Sequence, residues 1–243
     1  YRGGGRSSAR ETAARVAGGA IAKLMLKELG VEIQSGLCEV DGIKGEVQDF
    51  EHAKSSKLYA LDPTVEAAQE AAILAAKDKH DSVGGVVLTT ATGVPVGLGE
   101  PLYYKLDAIL AEAMMGINAA KAVEIGDGVA STHLKGSGNN DEITLDGFKS
   151  NHSGGMLGGI SNGDTIVVKT HFKPTPSIFQ EQDTITIHDE EVKCNLKGRH
   201  DPCVAIRGAV VCEAMMALTL ADMTLLNMGK KMDHLIKLYG GER

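Results

Sequence analysis

VCEAMMALTLADM (residues 211–223) and LDAILAEAMMGIN (residues 106–118) are both apolar, dense in Ala and Met, and share the string EAMM. Each sits inside a longer helical pattern, residues 207–227 for the first, ending at Gly229, and residues 102–120 for the second. A third pattern over residues 13–29 puts Ala13, Ala17, Ala20, Ile21, Leu24 and Leu29 on one face and stops at Gly30. Small residues on an apolar face let helices approach closely, so these three are expected to pack against sheets. Four shared letters carry little weight alone, but an internal repeat of helix and strand fits them.

Strand patterns follow the helices. Residues 31–40 follow the first helix, and residues 83–90 follow a helix expected over 64–79, near whose start Pro63 sits. A short strand over 122–125 follows the third helix of the chain. Residues 165–172 alternate as a strand, KPTPS (173–177) is a rigid elbow, residues 184–194 hold another strand, and the tail is a short helix or irregular. Residues 42–61 are mixed and polar. Regular strand, crossover, strand alternation is absent, so the pattern points to a layered α+β protein and away from a Rossmann domain.

At the front, Ser8 followed by Glu11 is a capping-box pattern. Gly18 and Gly19 each cost about 1 kcal/mol of helix propensity, so they either permit close backbone packing or are merely tolerated. Residues 126–163 are crowded with Gly, Ser and Asn, and a connection that long is expected to be a flexible functional loop.

Composition narrows the function. Lys+Arg is 25 against 32 Asp+Glu, a net charge of -7, and with no Trp, five Tyr and four Phe a nucleic-acid surface is disfavoured. The apolar run 209–226 is interrupted by Glu213 and Asp222, so no membrane span is expected. Cys38, Cys194, Cys203 and Cys212 form neither a CxxC pair nor zinc spacing, which suits reduced thiols and a cytoplasmic protein. No secretory signal is visible, although the chain opens on Tyr1 and not on Met. At 243 residues the chain can bury a substantial core as one large domain or as two intimate ones, which size alone does not separate.

GGGRSS (3–8) matches neither GxxxxGK[ST] nor a GxGxxG between strand and helix. Free amides at the start of the Ser8 helix beside Arg6 and Arg10 would form an anion site; the alternative is a simple cap with solvated arginines. Further along, Gly158 and Gly159 precede a tight turn, Lys173 and Ser177 bracket the rigid PTP, and Arg199, His200 and Asp201 stand together upstream of a helix. Arginine forks onto phosphate or carboxylate, and an adjacent Asp orients it or exchanges a proton. For His200 a structural, arginine-orienting or catalytic role stays open. His133, His152 and His171 show no metal spacing, Met114, Met115, Met215 and Met216 read as helix packing, and SxxK and GxSxG are absent. The residues thus describe a pocket for an anionic ligand built from distant glycine-rich loops and arginines.

Four longer motifs stand in order: YRGGGRSSARETAARVAGGAIA (1–22), GEPLYYKLDAILAEAMMGINAAKAVEIG (99–126), NHSGGMLGGISNG (151–163) with KPTPSI (173–178), and GRHDPCVAIRGAVVCEAMMALTLAD (198–222). Together they resemble the chorismate synthase family. The resemblance implies a layered β-α-β sandwich with internal pseudo-symmetry, assembled as a homotetramer. It implies a lyase of the shikimate pathway and aromatic amino-acid biosynthesis, which converts 5-enolpyruvylshikimate 3-phosphate to chorismate by 1,4-anti elimination of phosphate, requiring reduced FMN without net redox change. By the same resemblance, Arg6, Ser7, Ser8, Asn118, Ala119, Gly158, Lys173, Pro174, Thr175, Pro176, Ser177 and Arg199 are flavin contacts. Arg10 matches a substrate-binding arginine, its charge suiting a trianionic substrate. Asp201 is expected to carry proton chemistry; Asp222 is a second candidate that could instead answer a neighbouring helix terminus.

Members of that family carry two catalytic histidines and further substrate arginines ahead of the position of Tyr1. The 243 residues alone are therefore expected to be inactive or nearly so, and the alternative reading is an inactive flavin- or anion-binding fragment. No stretch resembles an added NADPH-binding domain, so an external source of reduced flavin is expected.

Overall fold

In IVVKTHF, residues 166–172, every second side chain is buried, the mark of a strand with one face on a core. In GVVLTTAT, residues 85–92, burial is continuous through Ala91, the mark of a strand covered on both faces. These two strands pair at the middle of the sheet on which the molecule is built.

The structure is a computed structural model that describes residues 8–240 apart from 197 and 199. After a 3-10 turn at Ala9–Glu11 the chain forms α1 (Thr12–Glu28), β1 (Glu32–Val40), β2 (Ile43–Lys44), α2 (Phe50–Ser55), α3 (Glu66–Asp78), β3 (Gly85–Thr92), α4 (Leu106–Met115) and β4 (Ala120–Ile125). There follow a 3-10 turn at Gly128–His133, α5 (Gly136–Asn139), β5 (Ile143–Thr144), β6 (Gly147–Phe148), β7 (Met156–Leu157) and β8 (Ile160–Ser161). The chain continues through β9 (Ile166–Phe172), β10 (Gln182–Ile185), β11 (Glu191–Cys194), α6 (Ala205–Met228) and α7 (Met232–Tyr239).

The main sheet has the order β2-β1-β3-β9-β4 with antiparallel pairing throughout, so the molecule is α+β as its sequence implies. α1 leads straight into β1, which pairs with β3, and α4 leads into β4, which pairs with β9. The two helix–strand units thus flank the central pair, whereas the helices that share EAMM are α4 and α6, and α6 is followed by α7 and not by a strand. On one face Ile33, Leu37, Val87, Ala91, Ile166, Val168 and Phe172 meet the helical layer. On the other, Leu88 packs with Ala53 of α2 and Leu61.

α6 lies along β1 and β3 with α1 and α4 beside it. By length and mean composition alone it could cross a bilayer, although Glu213 and Asp222 interrupt it as read from the sequence. The composition has a different cause: α6 is buried against the sheet and its neighbouring helices, and Glu213 is half-buried, paired with Lys23 and accepting from Ser35 Oγ at 3.1 Å. A Cβ at Gly208 would stand 2.7 Å from the Phe172 ring, so glycine lets α6 settle onto β9.

Four elements differ from the pattern reading. The face of the first helix read as packed, Ala13, Ala17, Ala20, Ile21, Leu24 and Leu29, is exposed, and α1 turns Gly19, Ala22 and Leu26 inward instead, because its partner is α6 at Ala214. The helix expected over 102–120 is α4 alone, because residues 101–104 bend, Lys105 is extended, and the chain turns after Gly116 to Ala119, whose φ is 71°. The strand expected over 184–194 is the hairpin β10–β11. Residues 126–163 hold short helices and two small hairpins, β5–β6 and β7–β8. At the front Ser8 does cap, accepting from Arg10 N at 3.3 Å, but Glu11 turns to Arg15 and the reciprocal half of a capping box is not made.

The two adjacent glycines of α1 have different reasons to exist. A Cβ on Gly19 would lie 2.5–2.8 Å from the Cβ, Cα and O of Ala214, whereas one on Gly18 meets only Leu218 Cδ2 at 3.6 Å. Gly19→Ala should therefore destabilise the fold by about 1–3 kcal/mol through overpacking against backbone. Gly18→Ala should be neutral or stabilising by up to about 1 kcal/mol through helix propensity. Urea midpoints of the two variants decide it; equal shifts would mean that α1 and α6 do not meet as described.

Candidate functional site

The expected site residues enter from six separate places. Ser8 and Arg10 stand at the entry to α1, where the positive end of the helix favours anions, while the amides of Arg10 and Glu11 are already taken by Ser8 Oγ and the Ser8 carbonyl. The Arg10 side chain is exposed and makes no ion pair among the described residues. Arg6 and Ser7 lie outside the described residues, as does Arg199.

Asn118 and Ala119 form the turn that follows α4. A left-handed φ on a residue with a side chain is uncommon and costs on the order of 1 kcal/mol, and such strain gathers where a backbone must present itself in one orientation. Here the turn aims the Ala119 carbonyl at the amide of Lys173, which donates to it at 3.0 Å. The first residue of KPTPS is thereby locked to the end of α4.

The elbow is held from its other side as well. Ser82 Oγ donates to the Thr175 carbonyl at 2.7 Å, and Thr175 Oγ1 donates to the Asp201 carbonyl at 3.1 Å. Pro174 and Pro176 stiffen what lies between, while Lys173 presents an exposed ammonium with no ion pair among the described residues and Ser177 is half-exposed. The Asp201 carboxylate is 3.7 Å from Arg207 Nε, and His200 stands against the Phe179 ring, centroids 5.7 Å apart.

Gly158 and Asp222 sit elsewhere. Gly158 is in the β7–β8 turn with φ 60° and nothing within 4 Å of where a Cβ would be, next to Gly159, whose carbonyl accepts from Leu106 N at 2.8 Å. It therefore borders the start of α4, with Asn118 past the other end, about 15 Å of helix between them. Asp222 is exposed on α6, 17 residues past Ala205 and so about 26 Å along the axis from the Asp201 end. Because Gly18 faces Leu218 and Gly19 faces Ala214, α1 runs antiparallel to α6 and Asp222 shares an end of the layer with Ser8. The two aspartates are thus brought to different parts of the molecule.

Sequence reasoning passed over several organising groups. Arg15 forks onto Glu11 and donates to the Gly116 carbonyl at 3.0 Å, and only its i,i+4 spacing from Glu11 was visible in advance. Asp127 pairs with His152 Nδ1 at 2.6 Å. Asp141 accepts from Ser150 Oγ at 2.7 Å and from the amides of His152 and Ser153 at 2.8 and 2.9 Å. A groove of about 880 Å³ runs between α1 and β1, lined in part by Lys23, Leu24, Phe50 and Tyr59, and no expected site residue borders it. Burial pushes the Cys38 thiol up to about 11 and the Cys212 thiol to about 12, so neither is a ready nucleophile.

The exposed cations of Arg10 and Lys173 and the hydroxyls near them suit an anionic group such as a phosphate. The family model for chorismate synthase matches residues 1–225. A chorismate synthase from Sulfurovum sp. is 90% identical over 240 residues, 99% of this chain and 67% of the relative. One from Sulfurimonas denitrificans is 71% identical over 239 residues, 98% of this chain and 67% of the relative. A solved structure titled Crystal Structure of Chorismate Synthase superposes with a TM-score of 0.77 at 33% identity, covering 96% of this chain and 68% of that one.

Burial acts to raise the Asp141 carboxyl, but the Ser150 hydroxyl and the Ser153 and His152 amides outweigh it and hold the group at about 2. A carboxyl held below its unfolded value, about 3.9, stabilises the fold above pH 4 and loses that contribution as pH falls toward 2. Wild type should therefore exceed Asp141→Asn in urea midpoint at pH 5–7, and the gap should narrow on acidification. A gap that does not change with pH would show that the charge is not its source.

Proposed function

This chain belongs to the chorismate synthase family, and on that premise we propose that it serves the 1,4-anti elimination of phosphate from 5-enolpyruvylshikimate 3-phosphate to give chorismate, with reduced FMN and no net redox change. The supporting observation is a relay of hydrogen bonds: Arg15 to Gly116, Lys173 to Ala119 and Thr175 to Asp201, at 3.0, 3.0 and 3.1 Å. These bonds tie α1 to the turn after α4, that turn to the proline elbow, and the elbow to the residues before α6.

In this reading Ser8, Asn118, Ala119, Gly158 and Lys173–Ser177 hold FMN, together with Arg6, Ser7 and Arg199. Arg10 binds the anionic substrate, where a guanidinium forks onto carboxylate or phosphate. The chemistry that reduced FMN would supply when held there is a reversible loan of electron density to the substrate. A C–H and a C–O bond of the substrate break: the proton passes to a base, the C–H pair shifts with the existing double bond into a conjugated diene, and phosphate departs with the C–O pair. Asp201, fixed through its backbone to Thr175, is the carboxylate assigned to proton handling; Asp222 is second, on the opposite part of α6. The protein works as a homotetramer in the cytoplasm with reduced flavin supplied from outside. Exposed apolar side chains such as Leu145, at the tip of β5–β6, and Ile21 and Leu24 on α1 support self-association.

Lys173→Ala should weaken FMN binding about 10–100-fold, as loss of a charge-assisted phosphate contact does, and Asp201→Asn should slow phosphate release by about 10²–10⁴-fold while FMN still binds. Flavin titration of this chain, and anaerobic phosphate release by the chain joined to the histidine-bearing segment that family members carry ahead of the position of Tyr1, measure both; a wild type that neither binds FMN nor releases phosphate would sink the proposal. Binding without release would leave only its flavin-binding half. Amides of residues 126–163 should exchange more slowly once FMN and substrate are both present, and unchanged exchange would remove that segment from the site.

A further inference from the structure

We infer that Arg15 is a positioning residue for the cofactor site, a single guanidinium that fixes the entry of α1 and the turn after α4 against each other. The inference rests on the flavin reading above, which puts FMN contacts in both segments, but Arg15 is not one of those contacts.

Arg15 uses its planar fork in several directions at once. Nε donates to Glu11 Oε2 at 3.0 Å, Nη2 lies 3.0 Å from Glu11 Oε1, and Nη1 donates to the Gly116 carbonyl at 3.0 Å while touching Met215 Sδ of α6 at 4.0 Å. The side chains of Arg15 and Glu11 are only 29% and 26% exposed, so the pair is less screened than an ion pair in open water. Charge alternates along the line: the positive end of α1, the Glu11 carboxylate, the Arg15 guanidinium, and the negative end of α4. Each neighbour favours the next.

The placement gives this junction its consequence. Glu11 directly follows Arg10 and lies three residues after Ser8, and Gly116 lies two before Asn118. Segments 101 residues apart in sequence are therefore held through one side chain. A lysine could keep the charge but not the directed donors to both partners.

The test is an FMN titration of the full chain, followed by flavin absorbance and fluorescence, for wild type, Arg15→Gln, Arg15→Lys and Glu11→Gln, with thermal unfolding of each. Groups that orient the direct contacts typically change affinity by about 10–100-fold, so Arg15→Gln should weaken FMN binding by that factor and shift the flavin spectrum. Arg15→Lys should restore only part of it. Glu11→Gln, which keeps the Gly116 bond but loosens the α1 arm, should also weaken binding, and it decides the matter if Arg15→Gln does not fold. Variants that melt earlier yet bind FMN with wild-type affinity and spectrum would overturn the inference alone. A wild type that binds no FMN would overturn the flavin reading, and the inference with it.

Discussion

The close approach of α1 to α6 at Gly19 and Ala214 sets the geometry of everything above the sheet. With no Cβ on Gly19, the two backbones come near enough for α1 to lie in the same layer as α6. That depth carries Arg15 to Met215 and to the last carbonyl of α4, and it lets Lys23 reach Glu213. Moving α1 outward by the size of a methyl group would lengthen each of these contacts together. The apolar face that α6 turns to the strands is non-directional glue; these polar contacts at its flanks choose the register.

The sheet does the complementary work of carrying distant residues to one edge. β9 ends at Phe172, so Lys173 begins where the ladder stops, and β4 begins at Ala120, so Ala119 is the last residue before it. Pairing of Ala120 with Phe172 makes their outer neighbours meet, which is why Lys173 N finds the Ala119 carbonyl. The elbow is then turned by its prolines toward Asp201 and tied down by Thr175. Strand register, a property of the core, fixes the spacing of the candidate binding groups on the surface.

Much of this could be read in the chain beforehand, and what could not has a common cause. Strands β1, β3 and β9 and helix α3 announce themselves through local period and composition, and the structure places them within a few residues of their patterns. The identities of the candidate site residues came from motifs, which carry names without distances. Gly18 and Gly19 look alike in sequence because the difference between them is Ala214, nearly 200 residues away. α4 was read too long because the apolar pattern runs on through Leu102 and Ile117, whereas Lys105 and the turn at Ala119 answer to β8 and β9. Asp141 passed unnoticed for the same reason: an acceptor in a polar stretch has no signature until the donors fold back onto it.

The sequence separation of the central contacts also has a bearing on how the molecule comes into being. Arg15 meets Met215 across 200 residues, Lys23 meets Glu213 across 190, and Ser35 Oγ donates to the Ala209 carbonyl across 174. During synthesis β1, β3 and β9 must wait, with one apolar face uncovered, until α6 has left the ribosome. Non-local topologies of this kind fold slowly and expose sticky intermediates. A nascent chain stalled before residue 205 would have its hairpins and its α3 but no layer for α1 to join, and it would be a natural client for chaperones that shield bare sheets.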